Sequence, residues 1–145
     1  MIKKALLGLA IISTSLLYGC ASVPMASPEA DAKAKQFPTT EGRANVYIYR
    51  NENMGAAIKM PILMDGFLIG DTAANTYILK EVAPGEHEIV SKTENDAKLT
   101  VNAVGGKNYY VWQEVKMGTF AARSKLHLVD EKQGQKAVKE CKLIK

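Results

Sequence analysis

From residue 43 onward, apolar and polar side chains alternate with a period of two. Short clusters of Gly, Pro, Asn and Asp break the alternation every 8–12 residues. A period of two puts successive side chains on opposite faces of a strand. The pattern predicts strands over 44–50, 58–64, 67–70, 76–82, 86–93, 97–104, 108–116 and 123–129. In the first, Val46 and Ile48 take one face and Tyr47 and Tyr49 the other. Pro61 lacks an amide and marks its strand as an edge or the site of a bulge. Asp65-Gly66 suits the positive φ angles of a tight hairpin. Ala83-Pro84-Gly85 and Gly105-Gly106-Lys107 read as further turns.

After residue 129 the period changes. Asp130 is placed to cap a helix, and Ala137, Val138, Cys141 and Ile144 form one helical stripe. Cys141 therefore points toward a core, although Gly134 weakens the helix by about 1 kcal/mol relative to Ala. The expected fold is mainly β: an antiparallel β-sandwich of about seven to eight short strands in two layers, with a C-terminal helix.

The chain ahead of the strands is different. Residues 1–4 hold two lysines and no acid, and residues 5–18 are uncharged and rich in Leu, Ile and Ala. That is the layout of a secretory signal, shorter than the roughly 20 apolar residues of a membrane-spanning helix. It ends in Leu17-Tyr18-Gly19-Cys20. This stretch resembles the lipobox of bacterial lipoproteins, with Tyr18 standing where that family usually has a small residue. The resemblance implies a signal peptide over 1–19, cut before Cys20. It further implies acylation of Cys20 with chains such as palmitate, and membrane attachment through that N-terminal lipid. Ala21, rather than Asp, follows the cysteine. In enteric-type sorting this points to the outer membrane, facing the periplasm. An ordinary signal peptide cut after Ala21 is the plainer alternative. Residues 20–42 contain Pro24, Pro28 and Pro38 among Ala, Ser and Thr, and read as a flexible tether of about 25 Å. The folded domain is then 43–145.

Composition adds limits. Loss of 1–19 leaves 126 of 145 residues, enough for one core, and lowers the formal charge from +4 to +2. The C-terminal stretch 123–145 is basic, which fits a solvated face or contact with anionic lipid or glycan. A secreted, anchored chain excludes nucleic acid as the expected partner. With Cys20 acylated, Cys141 is a single thiol, expected to be buried.

Residues 62–115 hold the layout Ile-Leu-Met-Asp-Gly-Phe-Leu-Ile-Gly-Asp-Thr, then Val-Ala-Pro-Gly-Glu-His-Glu-Ile, then Tyr-Tyr-Val-Trp. It resembles the small PEGA-type and transthyretin-like β-sandwich modules. More closely, it is similar to short bacterial envelope lipoproteins with a single domain of unassigned function. The resemblance implies fold and not chemistry, because its motifs are turns.

Enzyme constellations fare poorly. His87 and Ser91 lie about 13 Å apart along one strand at ~3.3 Å per residue. No Gly-x-Ser-x-Gly elbow is present, and Cys141 falls on the apolar stripe. Glu86, His87 and Glu88 point to alternate faces, so they make no natural metal site. Gly105-Gly106-Lys107-Asn108 lacks phosphate-loop spacing. The expectation is no enzyme, no cofactor and no metal.

Two features remain as binding candidates. Tyr110 and Trp112 share the strand face opposite Tyr109, Val111 and Val115. Exposed, they could stack on a sugar or anchor a protein; otherwise the C-terminal helix or the tether packs over them. The second feature is a set of longer connections at one end of an antiparallel chain, carrying Asn51, Asn53, Met54, Asn75, Thr119 and Phe120. The sequence reading is thus an anchored, non-catalytic binding or scaffolding domain whose partner is an envelope protein or cell-wall glycan. The alternative is a self-associating assembly accessory.

Overall fold

A computed structural model describes residues 20–145, so the signal segment 1–19 lies outside the described residues. The strands are β1 (Ala44–Arg50), β2 (Met60–Met64), β3 (Phe67–Thr72), β4 (Thr76–Val82), β5 (Gly85–Lys92), β6 (Asp96–Ala103), β7 (Asn108–Lys116), β8 (Arg123–Val129) and the short β9 (Lys142–Leu143). Helix α1 spans Pro28–Ala34 and helix α2 spans Glu131–Lys139. One sheet has the order β8-β7-β1-β4-β9 and the other β3-β2-β5-β6. The sandwich read from the alternation is therefore present. It is not wholly antiparallel, because β1 pairs with β7, and β4 with β9, in parallel.

The apolar faces of the two sheets meet in one core that includes Val46, Ile48, Ile62, Ile89, Val101 and Val111. The other face of the five-stranded sheet is also covered. Tyr47, Tyr49, Tyr77 and Tyr110 pack there against Ala34, Ala137, Val138 and Cys141. Three layers result: helices, five strands, four strands. This is why β1, lying mid-sheet with an apolar layer on each face, is buried at every position.

Asp65 (φ 51°) and Gly66 (φ 83°) both adopt left-handed conformations, as a two-residue hairpin requires. Pro61 precedes a register shift between Ile62 and Leu63, and β2 pairs with β5 only from Ile62 onward, so the missing amide breaks no ladder there. Helix α2 begins where its cap was expected, with the Asp130 carboxylate accepting from the Gln133 amide at 2.8 Å.

Two expectations need correction. The helix stops at Lys139, so Ile144 does not continue its stripe; it enters the core between the sheets. Residues 20–42 are not a loose tether over their length. Val23 joins the inter-sheet core, Met25 bridges Ile144, and the Lys145 amide donates to the Pro24 carbonyl at 2.8 Å. Helix α1 is held by polar contacts rather than by an apolar stripe. The Asp31 carboxylate accepts from the Tyr77 hydroxyl at 2.7 Å and from the Leu143 amide at 3.1 Å. Burial pushes the Asp31 carboxyl upward, but hydrogen bonds from Lys35, Tyr77 and Leu143 outweigh it and hold its pKa below the ordinary value.

Candidate functional site

Because β1 and β7 run parallel and β4 and β8 oppose them, successive connections sort cleanly to two ends. The tight turns at 65–66, 83–84 and 104–107 lie at one end. The connections 51–59, 73–75, 93–95 and 117–122 lie at the other, as the alternation of successive strands suggested.

Side-chain contacts knit these longer loops together. Asn75 Nδ2 donates to Asn53 Oδ1 at 2.8 Å. The Glu94 carboxylate accepts from the amides of Thr119, Phe120 and Ala121 at 3.1, 2.8 and 2.8 Å. Those amide bonds hold the Glu94 carboxyl below its usual range. Arg50 is fully buried and organises the 51–59 loop from inside. Its guanidinium donates to the carbonyls of Ile58 at 2.9 Å and Met54 at 3.2 Å, and to that of Gly55. Among the described residues no carboxylate forms an ion pair with it; burial lowers its pKa, against the smaller opposing effect of the Glu52 charge.

The predicted site residues fall into five places. Tyr110 lies on the sheet face away from the inter-sheet core, but it is 1 % exposed and so presents no free aromatic; α2 covers it, and Phe37 packs edge-on at 5.9 Å. Trp112 and Asn51 come together in a cleft of about 340 Å³ between the strands and α2, with Tyr49, Gln133, Lys136 and Glu140. The Trp112 indole stacks on His127 at 4.9 Å between centroids and donates to Glu52 at 2.9 Å, so its orientation is fixed. Met54, Thr119 and Phe120 line a second cleft of about 250 Å³ with Val115 and Met117. Asn53 and Asn75 form the rim between loops. Cys20 is exposed, at the start of the described chain.

Residues that invited catalytic readings are engaged elsewhere. Ser91 and Ser124 do meet, at 2.7 Å, but inside the core. Gln113 donates to Ser91 at 2.7 Å, and Thr72 donates to Gln113 in turn. This closed network fills its own donors and acceptors. His87 lies between Asp65 at 2.6 Å and the Ala83 carbonyl at 2.7 Å, tying two turns together. His127 meets Glu114 at 2.7 Å. Cys141 is buried, and desolvation pushes its thiol up to about 12. Among the described residues, no group of three or more His, Cys, Asp or Glu is arranged to hold a metal ion. No described helix is long and apolar enough to cross a membrane.

Arg50, Glu94 and Gln113 escaped the sequence reading. An arginine ending an otherwise apolar and aromatic strand was the one signal available for Arg50. Glu94 and Gln113 have partners distant in sequence and left none.

Residues 40–125 match the family described as "Protein of unknown function (DUF2846)". The chain belongs to that family. The matched span of this DUF2846 protein carries all four longer loops and the Trp112 strand, whereas α1, α2 and β9 lie outside it. The chain is also similar to an uncharacterized protein of Haemophilus influenzae, 36 % identical over 138 residues, covering 94 % of this chain and 80 % of the relative. No solved structure matches the chain.

Proposed function

We propose that this protein is a lipoprotein of the bacterial envelope, acylated on Cys20, whose sandwich is a non-catalytic binding and scaffolding domain. The observation that carries the binding role is the cleft beside α2. It offers the Trp112 indole, the amides of Asn51 and Gln133, and the charged ends of Lys136 and Glu140. An aromatic edge with amides and charges suits a polar partner rich in hydroxyls or amides. Cell-wall glycan fits that chemistry first, and a polar segment of an envelope protein second. The anchor rests on Leu17-Tyr18-Gly19-Cys20 and the apolar run before it. Ala21 favours the outer membrane, with the domain facing the periplasm.

The test places a photoreactive residue at Gln133, an exposed position of α2, in the native cell. The expected adduct is a wall fragment or one recurrent envelope protein. Adducts no more frequent than from a photoreactive residue at the exposed Lys80 would refute the binding role. Mass spectrometry of the mature N-terminus tests the anchor: a free or uncut Cys20 refutes it.

Self-association is a second reading, favoured by Phe67 and Leu68. They are 77 % and 65 % exposed on β3, an edge strand. Concentration-dependent sedimentation of the mature chain would support it, and a constant monomer mass would refute it.

A further inference from the structure

The apolar side chains left outside the core are not scattered evenly over the loops. Phe120 is 97 % exposed, Met117 84 % and Met54 52 %. All three line the same shallow cleft at the loop end. The loop that presents Phe120 is pinned by Glu94 through three backbone amides, so its apolar tip is preformed rather than collapsed. Preorganisation of this kind removes part of the ordering cost of binding.

The chain enters the fold at this same end. The Ala21 amide donates to the Ala56 carbonyl at 2.8 Å, two residues from Met54 in the same loop. Ala21 also lies against the 73–76 segment, whose Asn75 bonds to Asn53. From there the chain is fixed by Val23 in the core and by the Met25–Ile144 bridge. A lipid on Cys20 would therefore sit one residue, about 3.8 Å in Cα spacing, from the folded domain.

We infer that the loop end of the domain docks on the lipid bilayer surface, with Phe120, Met117 and Met54 entering the headgroup–acyl boundary beside the anchor. This rests on the acylation of Cys20 proposed above. Lasting attachment takes more than one acyl chain or a second signal, and an apolar tip is such a signal. Aromatic side chains favour that interfacial depth. The Trp112 cleft lies beside α2, with Asn51 at its edge toward the loop end.

The experiment uses the full chain, matured in a bacterial host. It is reconstituted in vesicles of three parts phosphatidylethanolamine to one part phosphatidylglycerol carrying a spin-labelled lipid. Trp112→Phe removes the native indole. Phe120→Trp then reports the loop end and, in a separate protein, Phe67→Trp reports the turn end. Side chains at a docked surface enter roughly 5–10 Å, so quenching at position 120 should exceed that at 67 by about threefold or more. The acylation state of Cys20 is read on the same samples by mass. Acylated protein with equal quenching at both positions overturns the docking and leaves the anchor standing. Protein without an acyl chain overturns the anchor, and the docking falls with it.

Discussion

Gly134 sits at the fourth position of α2, where its helix faces Tyr110. A Cβ added there would lie 2.7 Å from Tyr110 Cδ1 and closer still to Cβ and Cγ. On propensity alone, Gly134→Ala should stabilise the helix by about 1 kcal/mol. The structure predicts the opposite sign. The Tyr110 ring cannot swing away, because the clash includes its Cβ and the ring is stacked on Tyr47 at 5.2 Å. The helix must therefore lift by about 1 Å. A gap of that size forfeits roughly a quarter to a half of each contact well. Ala137, Val138 and Cys141 would all lose contact with the tyrosine layer. Burial of a Val-sized side chain is worth about 1.5–3 kcal/mol, so three partly unpacked side chains cost roughly 3 kcal/mol. Net destabilisation is about 2 kcal/mol, a fall in urea midpoint of about 1 M at a slope near 2 kcal/mol per M. Lys132, exposed two residues earlier, supplies the control: Lys132→Gly against Lys132→Ala gives the bare propensity term in the same helix. A Gly134→Ala protein as stable as the parent, or more so, would refute the seating of α2 on Tyr110.

Three other outcomes are expected. Glu94→Ala should speed hydrogen exchange at the amides of Thr119, Phe120 and Ala121 while leaving β7 and β8 protected; unchanged exchange would mean the carboxylate does not hold the loop. His87→Ala should cost about 1 kcal/mol, allowing for the solvent exposure of Asp65, and the cost should depend on pH. Hydrogen bonding to Asp65, then to the Ala83 carbonyl, raises the His87 pKa above 6.5, so its contribution is complete below 6.5 and fades as pH rises through the folded value. The hydrogen bond from His87 lowers Asp65 below 3.8, so that contribution is lost as pH falls through the folded value. Urea midpoints of parent and variant should differ most near pH 5 and converge as pH rises through the raised folded value of His87; a pH-independent gap would contradict the pairing. Cys141 should resist iodoacetamide at pH 8 in the native protein and react after denaturation, since burial removes both access and thiolate; rapid native labelling would show that α2 opens.

The turns and strands were legible because their signals are local. Asp65-Gly66 prescribes its own left-handed geometry, and Asp130 its own cap. The sorting of loops to two ends followed from strand count alone. The rest depends on partners far along the chain. Ile144 continues a helical period on paper, yet the chain leaves the helix five residues earlier and pairs with β4. The segment before residue 43 has no apolar stripe, so periodicity shows nothing for it to bury. Its hold comes from Asp31, Val23 and the edge of β9, each a tertiary contact. For the candidate site, Asn51 and Trp112 were legible as singular residues, but their shared cleft was not. It exists only because α2 returns over the sheet, and nothing within β7 announces that.

The coverage of the sheet edges bears on what the domain can do. An open edge is a template for pairing. The five-stranded sheet ends at β9, but residues 25–26 run alongside it, with the Ala26 amide donating to the Leu143 carbonyl at 3.0 Å. The opposite edge, β8, lies against β6 of the second sheet, so these two edges partly close the sandwich. Among the described residues, β3 remains as the edge with no strand hydrogen-bonded along its outer side, and it displays Phe67 and Leu68. Those two residues belong to the hairpin at 65–66, at the turn end. The two groups of exposed apolar side chains thus lie apart: Phe120, Met117 and Met54 beside the start of the described chain, and Phe67 and Leu68 at the far end, where Val104 is also exposed. A domain held at its loop end presents the second group outward. Self-association of neighbouring copies would then pass through β3, at the end away from Phe120, Met117 and Met54.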